Sequence, residues 1–488
     1  MANQAWRKAV WVFLWSCAAC FAQTFTPLLS FDSNNGEEPG GMRLVQGLDG
    51  NYYGTTEGAG GIKGGSGYGT IFRLTPDGAL TTLQRFKAKD PAGSNPFGGL
   101  VQDLNGDFYG TDCAGGNIAA TSTCALSGGY GTIFKITASG AYSMLHVFEG
   151  TDGAAPQGAL VRGADGNFYG TTTAGGAYNP DGQELHYGTV FQVTPEGVFT
   201  TLYSFSGPDG CYPGGLVLGP DGDLYGTTGC GGTSYIMPDD PGVGTVYKIS
   251  PSGTLTTLHN FSSQSGGQYC TNCQTGGLTL RADGGFYGTT PNGGAYGEGE
   301  VYRISAEGVL TDLHNFDNTD GAHPIGGLVS ANDGNLYGTT RLGGASNYGT
   351  IFRITAGGVF TSLFSFSSPD RQGSQPAGTM LEGTDGNFYG TTSEGGAANV
   401  GVLFQFSTGL APFVKTLPHL AKVGAAVEIL GTGLTGAISV SFNGTPARFT
   451  VVSPSQISAI VPSGATTGYV RVGTPGGMLA SDGPFYVK

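Results

Sequence analysis

The sequence predicts an all-β chain, a seven-bladed β-propeller closed by an N-terminal strand and followed by an immunoglobulin-like β-sandwich. Three observations predict it. Close copies of Asp165-Gly166-Asn167-Phe168-Tyr169-Gly170-Thr171-Thr172 occur seven times, the tyrosine at Tyr53, Tyr109, Tyr169, Tyr225, Tyr287, Tyr337 and Tyr389, a period of 50 to 62 residues. Each period holds four short apolar runs with turn residues between them, which is what one propeller blade requires. From Ala411 onward the repeat stops, and short Val/Ile/Ser/Thr runs with Gly and Pro turns take over.

The chain opens on an expected export signal, residues 1–22. A polar head with Arg7 and Lys8 precedes the apolar run Ala9 to Ala22, and Cys20-Phe21-Ala22 offers small residues where a signal peptidase reads. The alternative, a membrane anchor, needs a span of about 20 apolar residues, longer than this run. A lipoprotein signal fits poorly, because Trp15 and Cys17 stand where small or aliphatic residues belong.

Residues 23–408 read as the propeller. In the third copy the four runs are Ala159 to Arg162, Asn167 to Thr171, Gly188 to Thr194 and Val198 to Phe205, named strands A to D from the axis outward. Pairs such as Asp165-Gly166 join A to B, and Pro195-Glu196-Gly197 and its equivalents join C to D, both as tight hairpins. D strands end at Phe86, Phe148, Phe205, Phe261, Phe316 and Phe366, one fewer than the A, B and C strands. The missing one is Thr24 to Phe31, which has the D pattern with no A, B or C before it. It is expected to finish blade seven beside Val402 to Phe406 and so remove the open edge.

Aromatics recur before five of the seven tyrosines (Tyr52, Phe108, Phe168, Phe286, Phe388), with Leu224 and Leu336 before the other two, and at the end of each C-strand core (Phe72, Phe134, Phe191, Tyr247, Tyr302, Phe352, Phe404). Residues that every blade needs equally are read as core rather than as a carbohydrate-binding stripe. The glycine after each tyrosine is read as room for a neighbouring backbone. Residues 411–488 read as a small sandwich, marked by Val427 to Leu434, Val440 to Gly444, Ile457 to Pro462 and Val470 to Val472. No hydrophobic tail follows, so no C-terminal membrane anchor is expected.

The repeat, Asp-Gly-Asn-Phe-Tyr-Gly-Thr-Thr, then a Gly-rich loop, then Tyr-Gly-Thr-Ile/Val-Phe and Thr-Thr-Leu-x-x-Phe, resembles the GloVer tandem repeat of exported bacterial proteins across residues 24 to 406. The tail is similar to IPT/TIG domains through Gly431-Thr432-Gly433, Phe442-Asn443-Gly444, Ile457 to Pro462 and Gly476-Gly477. The first resemblance implies a surface or secreted protein and no particular activity. The second implies a spacer or binding module.

The formal charge of −14, deepened to −16 by loss of Arg7 and Lys8 with the leader, argues against nucleic acid and anionic membranes as partners. The mature chain is expected to be a monomer without membrane insertion. The mature cysteines Cys113, Cys124, Cys211, Cys230, Cys270 and Cys273 are even in number, as structural disulfides in an exported chain would be. Cys211 with Cys230, Cys113 with Cys124, and Cys270 with Cys273 are plausible pairs. The last could instead be a redox or zinc motif, but it lacks a following helix or a second pair.

The B-to-C loops are long and differ from blade to blade, while the A-to-B and C-to-D turns are minimal. One face of the ring is therefore elaborated, together with the D-to-A loops, and a ligand site is expected there. Candidate residues are Glu57, Asp112, Arg341 and Glu394 at or after Tyr-Gly-Thr, and His186 and His323 in loops. An acid beside a histidine could serve general acid-base chemistry on a glycan, but no spacing forces a pair together, so no catalytic residue is assigned. His146, His259 and His314 fall on outer D strands and suit the surface better than a metal. The Asp-Gly-Asn turns offer calcium one carboxylate each, too few for a site. No metal or cofactor is expected. The reading is an exported binding protein, secreted, periplasmic or at the cell surface, for polysaccharide or protein. The alternatives are a polysaccharide lyase or hydrolase on the same face, and a structural cell-envelope component.

Overall fold

The protein is described by a computed structural model covering residues 23–32, 34–39, 43–58, 68–87, 93–116, 128–177, 187–233, 242–262, 277–367 and 369–488. It is all-β apart from one helical turn, Pro369–Gln372. Seven separate antiparallel sheets follow one another along the chain as seven blades, and a nine-stranded sheet ends it. Blade three shows the plan, with Val161–Arg162, Phe168–Thr172, Thr189–Val193 and Phe199–Ser204 paired in sequence order.

Burial follows position in the blade. Strand B of every blade has no exposed residue within Tyr-Gly-Thr, because both of its faces pack on neighbouring blades. Strand D of blades one to six has no fully buried residue, only half-buried and exposed ones. The tyrosine of one blade stacks on the aromatic preceding the tyrosine of the next, Tyr53 on Phe108 and Tyr109 on Phe168 at 4.1 Å, Tyr225 on Phe286 at 4.1 Å, and Tyr337 on Phe388 at 4.3 Å. In every blade but the second, whose turn carries Asn105, its hydroxyl donates to the aspartate of the A-to-B turn, as Tyr169 does to Asp165 at 2.8 Å and Tyr389 to Asp385 at 2.8 Å. One residue thus ties turn, strand and neighbouring blade together, which explains why the motif repeats. The recurring aromatics are core.

The glycine after each tyrosine makes room for a ring and not for a backbone. A Cβ on Gly110, Gly170, Gly338 or Gly390 would lie 2.5 Å from the tip of Phe134, Phe191, Phe352 or Phe404 of the same blade. The outer-strand histidines are neither metal ligands nor freely exposed. His146 and His314 bond Asp152 and Asp320 at 2.9 and 2.8 Å, and each stacks at 3.8 Å on the next blade's Phe199 or Phe360.

The ring closes through the N-terminal strand. Thr24–Ser30 pairs antiparallel with Val402–Ser407, Thr24 opposite Ser407 and Leu29 opposite Leu403, with a bulge after Pro27. Phe25 anchors it, its ring 4.5 Å from Phe364, 5.1 Å from Phe404 and 5.4 Å from Phe366.

The tail is a curled sheet around Val414, Val427, Ile429, Leu434, Phe442, Ile457, Val472 and Phe485. It sits on the trimmed face, against the A-to-B turns. Ser455 donates to Leu48 O at 2.8 Å, Thr432 shares a hydrogen bond of 2.8 Å with Thr384, and Asn332 donates to Ala411 O at 2.7 Å. Leu420 and Tyr486 pack into the cluster that holds Leu218 and Leu224 of blade four.

Phe25→Ala is expected to destabilise the folded chain by about 3 kcal/mol, the lower end for loss of a packed phenylalanine because Phe25 is only half-buried. Urea denaturation measures it. Removing residues 23–31 is expected to leave Val402–Ser407 as an open edge and to shift the protein toward aggregates in size-exclusion chromatography.

Candidate functional site at the mouth of the ring

Strand A enters each blade on the elaborated face beside the axis, and its first residues carry a feature that repeats while the side chains do not. The residue before the proline that opens the strand has positive φ in every blade where it is described. Glu38, Asn95, Ala155, Tyr212, His323 and Gln375 have φ between 52° and 57°. The left-handed conformation costs a non-glycine residue about 1–2 kcal/mol, so six such residues at one position need an explanation.

The hydrogen bonds supply part of it. The backbone N–H of five of them donates to the preceding blade, Glu38 to Val400 O at 3.0 Å, Asn95 to Tyr68 O at 2.8 Å, Ala155 to Tyr130 O at 2.8 Å, His323 to Glu298 O at 2.8 Å and Gln375 to Tyr348 O at 3.0 Å. The carbonyl of the same residue accepts from its own strand B end, as Asn95 does from Cys113 N at 3.0 Å and His323 from Arg341 N at 3.1 Å. Only the left-handed turn lets one residue face both blades. The following proline packs against the glycine that precedes strand C of the preceding blade. A Cβ on Gly69 would lie 2.5 Å from Pro96, and one on Gly349 2.7 Å from Pro376.

Two rings of side chains result around the axis, one from these staple residues and one from the position after Tyr-Gly-Thr-Thr. They interlock between blades. Asn95 Nδ2 donates to Glu57 O at 3.1 Å, and Arg341 Nε donates to Gln375 Oε1 at 3.0 Å. His323 Nδ1 donates to Pro291 O at 2.8 Å, which leaves Nε2 to face Glu298, 3.5 Å from its carboxylate. Ser393 Oγ donates to Gln375 O at 3.0 Å. Most of these side chains are half-buried, so their polar tips remain reachable.

Of the residues the sequence singled out, Glu57, His323 and Arg341 stand in these rings. Glu394 is exposed at the end of strand B in blade seven, across from Ser374. Asp112 is 0% exposed and accepts from Thr132 Oγ1 at 3.0 Å and Tyr142 OH at 3.1 Å, inside blade two. It holds the place that Thr56, Thr172, Thr228 and Thr340 hold elsewhere, each bonded to a strand C threonine at 2.8 or 2.9 Å. His186, Cys124, Cys270 and Cys273 lie outside the described residues. Cys211 and Cys230 form a disulfide, Cα atoms 5.0 Å apart, that joins the paired ends of strands Cys211–Leu218 and Leu224–Cys230 in blade four, beside Tyr212. Cys113 is disulfide-bonded as well. Among the described residues no three His, Cys, Asp or Glu converge as metal ligands would.

The staple residues Glu38, Asn95, Tyr212 and Gln375 were not singled out from the sequence. The signal was present, as a varied residue before Pro39, Pro96, Pro213 and Pro376 in an otherwise repeated frame.

The profile of the Gloeobacter/Verrucomicrobia repeat matches residues 112–276 and 244–445. The chain belongs to this repeat family. An IPT/TIG domain profile matches residues 419–487 of this repeat protein. Among solved structures it is similar to a 6-phosphogluconolactonase candidate from Bacteroides uniformis, 16% identical with TM-score 0.43, covering 66% of this chain and 83% of that one. It is also similar to a luciferin-regenerating enzyme, 15% identical with TM-score 0.38, covering 67% and 95%. No curated protein matches it. At such values the neighbours' chemistry is not transferred to the family member described here.

One buried carboxylate lies away from the mouth. Glu300 takes the strand C place held by threonine in blades one to four and six, is 1% exposed, and neither oxygen has a hydrogen-bond partner. Burial, helped by Asp312, pushes its pKa from 4.5 to about 7. The folded state therefore keeps a proton that the unfolded chain releases, and stability falls as pH rises from 4.5 to about 7. Glu300→Thr is expected to remove that fall and to gain about 1–3 kcal/mol at pH 8, read as the gap between urea midpoints at pH 5 and pH 8. Ala155→Gly, which relieves a left-handed alanine that has no polar contact to lose, is expected to stabilise by about 1 kcal/mol in the same measurement.

Proposed function

We propose that the protein is an exported binding module that holds a polysaccharide over the mouth of the ring, on the elaborated face. The observation that carries this reading is the pair of varied side-chain rings on a repeated frame. Everything the blades need in common is repeated, so the residues that differ at equivalent, reachable positions are free to serve a ligand. Their chemistry is mixed and mostly uncharged or single-charged: Asn95, Gln375, Tyr212, His323, Arg341 and Glu57 offer donors and acceptors to hydroxyl groups. Export is supported by the leader-like residues 1–22 and by the disulfide between Cys211 and Cys230. No helix among the described residues is long and apolar enough to cross a membrane.

A catalytic reading is favoured by one observation, the half-exposed His323–Glu298 pair at 3.5 Å. A histidine whose Nδ1 proton is fixed by a carbonyl and whose Nε2 faces a carboxylate can move a proton. Among the described residues no second acid or base reaches the pair, and a binding role asks less of the site.

A glycan array probed with the chain from residue 23 onward tests the proposal, each hit being followed by a release assay for shortened products. Binding without release is expected. Gln375→Ala with Arg341→Ala is expected to weaken a hit by about tenfold, as loss of two polar contacts does. Product release that His323→Ala abolishes would replace the binding reading with the catalytic one, and an array with no hits would remove both.

A further inference from the structure

The A-to-B turns differ in one residue that the blade itself does not explain. Ahead of the Asp-Gly or Asn-Gly pair stand Leu48, Leu104, Ala164, Pro220 and Ala282 in blades one to five, but Asn332 and Thr384 in blades six and seven. The side chains of these two polar residues bond the tail. Asn332 Nδ2 donates to Ala411 O at 2.7 Å, and Thr384 Oγ1 shares a hydrogen bond of 2.8 Å with Thr432. Leu48, their counterpart in blade one, takes part through its carbonyl, which accepts from Ser455 Oγ at 2.8 Å.

Thr384, fully buried, is the node of this arrangement. Its N–H donates to Gln46 Oε1 at 3.0 Å and its Oγ1 accepts from Gln46 Nε2 at 3.2 Å, so an amide of blade one grips blade seven across the seam where the ring closes. Its carbonyl accepts from Phe413 N at 3.0 Å, where the chain enters the tail. A similar grip lies on either side. Asn332 N donates to Glu382 Oε2 at 3.2 Å between blades six and seven, and Leu48 N to Gln102 Oε1 at 2.9 Å between blades one and two. The residues at that place in blades three to six are Arg162, Leu218, Leu280 and Ser330, and among the described residues none of them accepts such a bond.

The tail lies over this same sector. Lys415 Nζ donates to Glu382 O on the innermost strand of blade seven. A Cβ on Gly386, in the turn of blade seven, would lie 2.3 Å from Leu410 O, and one on Gly50, in the turn of blade one, 3.1 Å from Ser455 Cβ. On the far side of the ring Lys488 Nζ stands 2.6 Å from the same place on Gly222 in blade four. The turns of blades two and three are left clear. Among the described residues nothing comes within 4 Å of a Cβ on Gly106, and only Arg162 of its own blade does so at Gly166.

We infer that the tail is a clasp on the closure seam, holding the inner ends of blades seven and one together as the strand Thr24–Ser30 holds their outer rim. Opening the ring at this seam separates Val402–Ser407 of blade seven from Thr24–Ser30, which continues into blade one. The tail follows blade seven in the chain and is hydrogen-bonded to blade one through Ser455. An opening must therefore break the Ser455–Leu48 contact and the Gln46–Thr384 pair together with the outer ladder. Two latches at opposite ends of one seam release together or not at all. Undocking of the tail is thus the step that loosens the ring, and the docked tail sets how seldom the seam opens.

Amide hydrogen exchange on the chain from residue 23 onward tests the clasp. It is read at the seam, in Thr24–Ser30 and Val402–Ser407, with Thr132–Ile136 and Thr189–Val193 of blades two and three as the internal reference. Thr432→Val with Ser455→Ala removes two tail hydroxyls and is expected to speed exchange at the seam about tenfold, as loss of two hydrogen bonds does, while the reference strands stay within about twofold. Ser455→Thr, which keeps a hydroxyl, is expected to keep the protection of the wild type. Unchanged seam exchange in the double variant overturns the inference. A rise as large in blades two and three overturns it as well, since the tail would then stabilise the propeller generally and not its seam. Should the double variant fail to fold, Ser455→Ala alone carries the test, with a rise of about threefold expected at the seam for one hydrogen bond and the same two results against it.

Discussion

Seven radial sheets make a ring only if the last meets the first, and here that meeting is a backbone ladder between residues nearly four hundred positions apart in the chain. The pairing of Thr24–Ser30 with Val402–Ser407 does more than cover an edge. It brings Phe31, Tyr52, Phe72 and Leu74 of one end against Leu381, Tyr389 and Leu403 of the other in a single buried cluster. Each such side chain contributes about 1.5–3 kcal/mol when fully buried, so a ring left open at this seam would expose the same apolar surface that joins every other pair of blades. Closure also fixes the number of blades around the axis, and with it the diameter at which the inner strands must pack. Gly98, Gly158 and Gly326, on which a Cβ would lie 2.5, 3.1 and 2.7 Å from the next blade's backbone, are a consequence of that crowding.

The two faces of the ring are treated differently. On one, short Asp-Gly turns clamped by tyrosines form a flat platform, and the tail lies on it through Ser455, Thr432, Leu420 and Tyr486. On the other, residues in the left-handed region stitch adjacent blades where the long loops begin. An ordinary extended residue before a proline is what local preference favours. The left-handed one is kept because its N–H and C=O then serve two blades at once, and the buried glycine–proline contacts beneath it leave no room to relax.

Much of this was legible before any coordinates. Blade count, strand order and closure follow from repetition, and the orphan strand Thr24 to Phe31 could be assigned because its copies elsewhere always ended a blade. The elaborated face followed from loop length. Less legible was which residues on that face matter. Asp112 looked like a mouth residue because it follows Tyr-Gly-Thr directly, yet strand alternation turns it inward, onto Thr132 and Tyr142. Arg341, one position further from the motif, is on the surface for the same reason. The docking of the tail left no trace in spacing at all, since its contacts are made by backbone carbonyls such as Leu48 O and by side chains without a motif. Glu300 shows in the sequence only as a departure from a column of threonines at equivalent strand C positions, not as part of any motif.

A tandem repeat provides its own control for separating framework from function. Where seven copies agree, as in Tyr-Gly-Thr, the common residue is explained by a contact that each blade makes. Where they disagree at one backbone position that is itself invariant in conformation, packing cannot be the reason for the side chain, because the frame is satisfied by main-chain atoms alone. Ala155 shows that the staple needs no side chain beyond a methyl group, and that residue binds Tyr130 O and Thr173 N as its longer counterparts bind theirs. The main-chain frame therefore does not dictate the glutamate, asparagine, tyrosine, histidine or glutamine at that place, even where the side chain also packs, as Tyr212 does, or bonds a neighbour, as Asn95, His323 and Gln375 do. The strain of the left-handed backbone is borne once per blade by the fold, and the choice of side chain is left to whatever the mouth of the ring must hold.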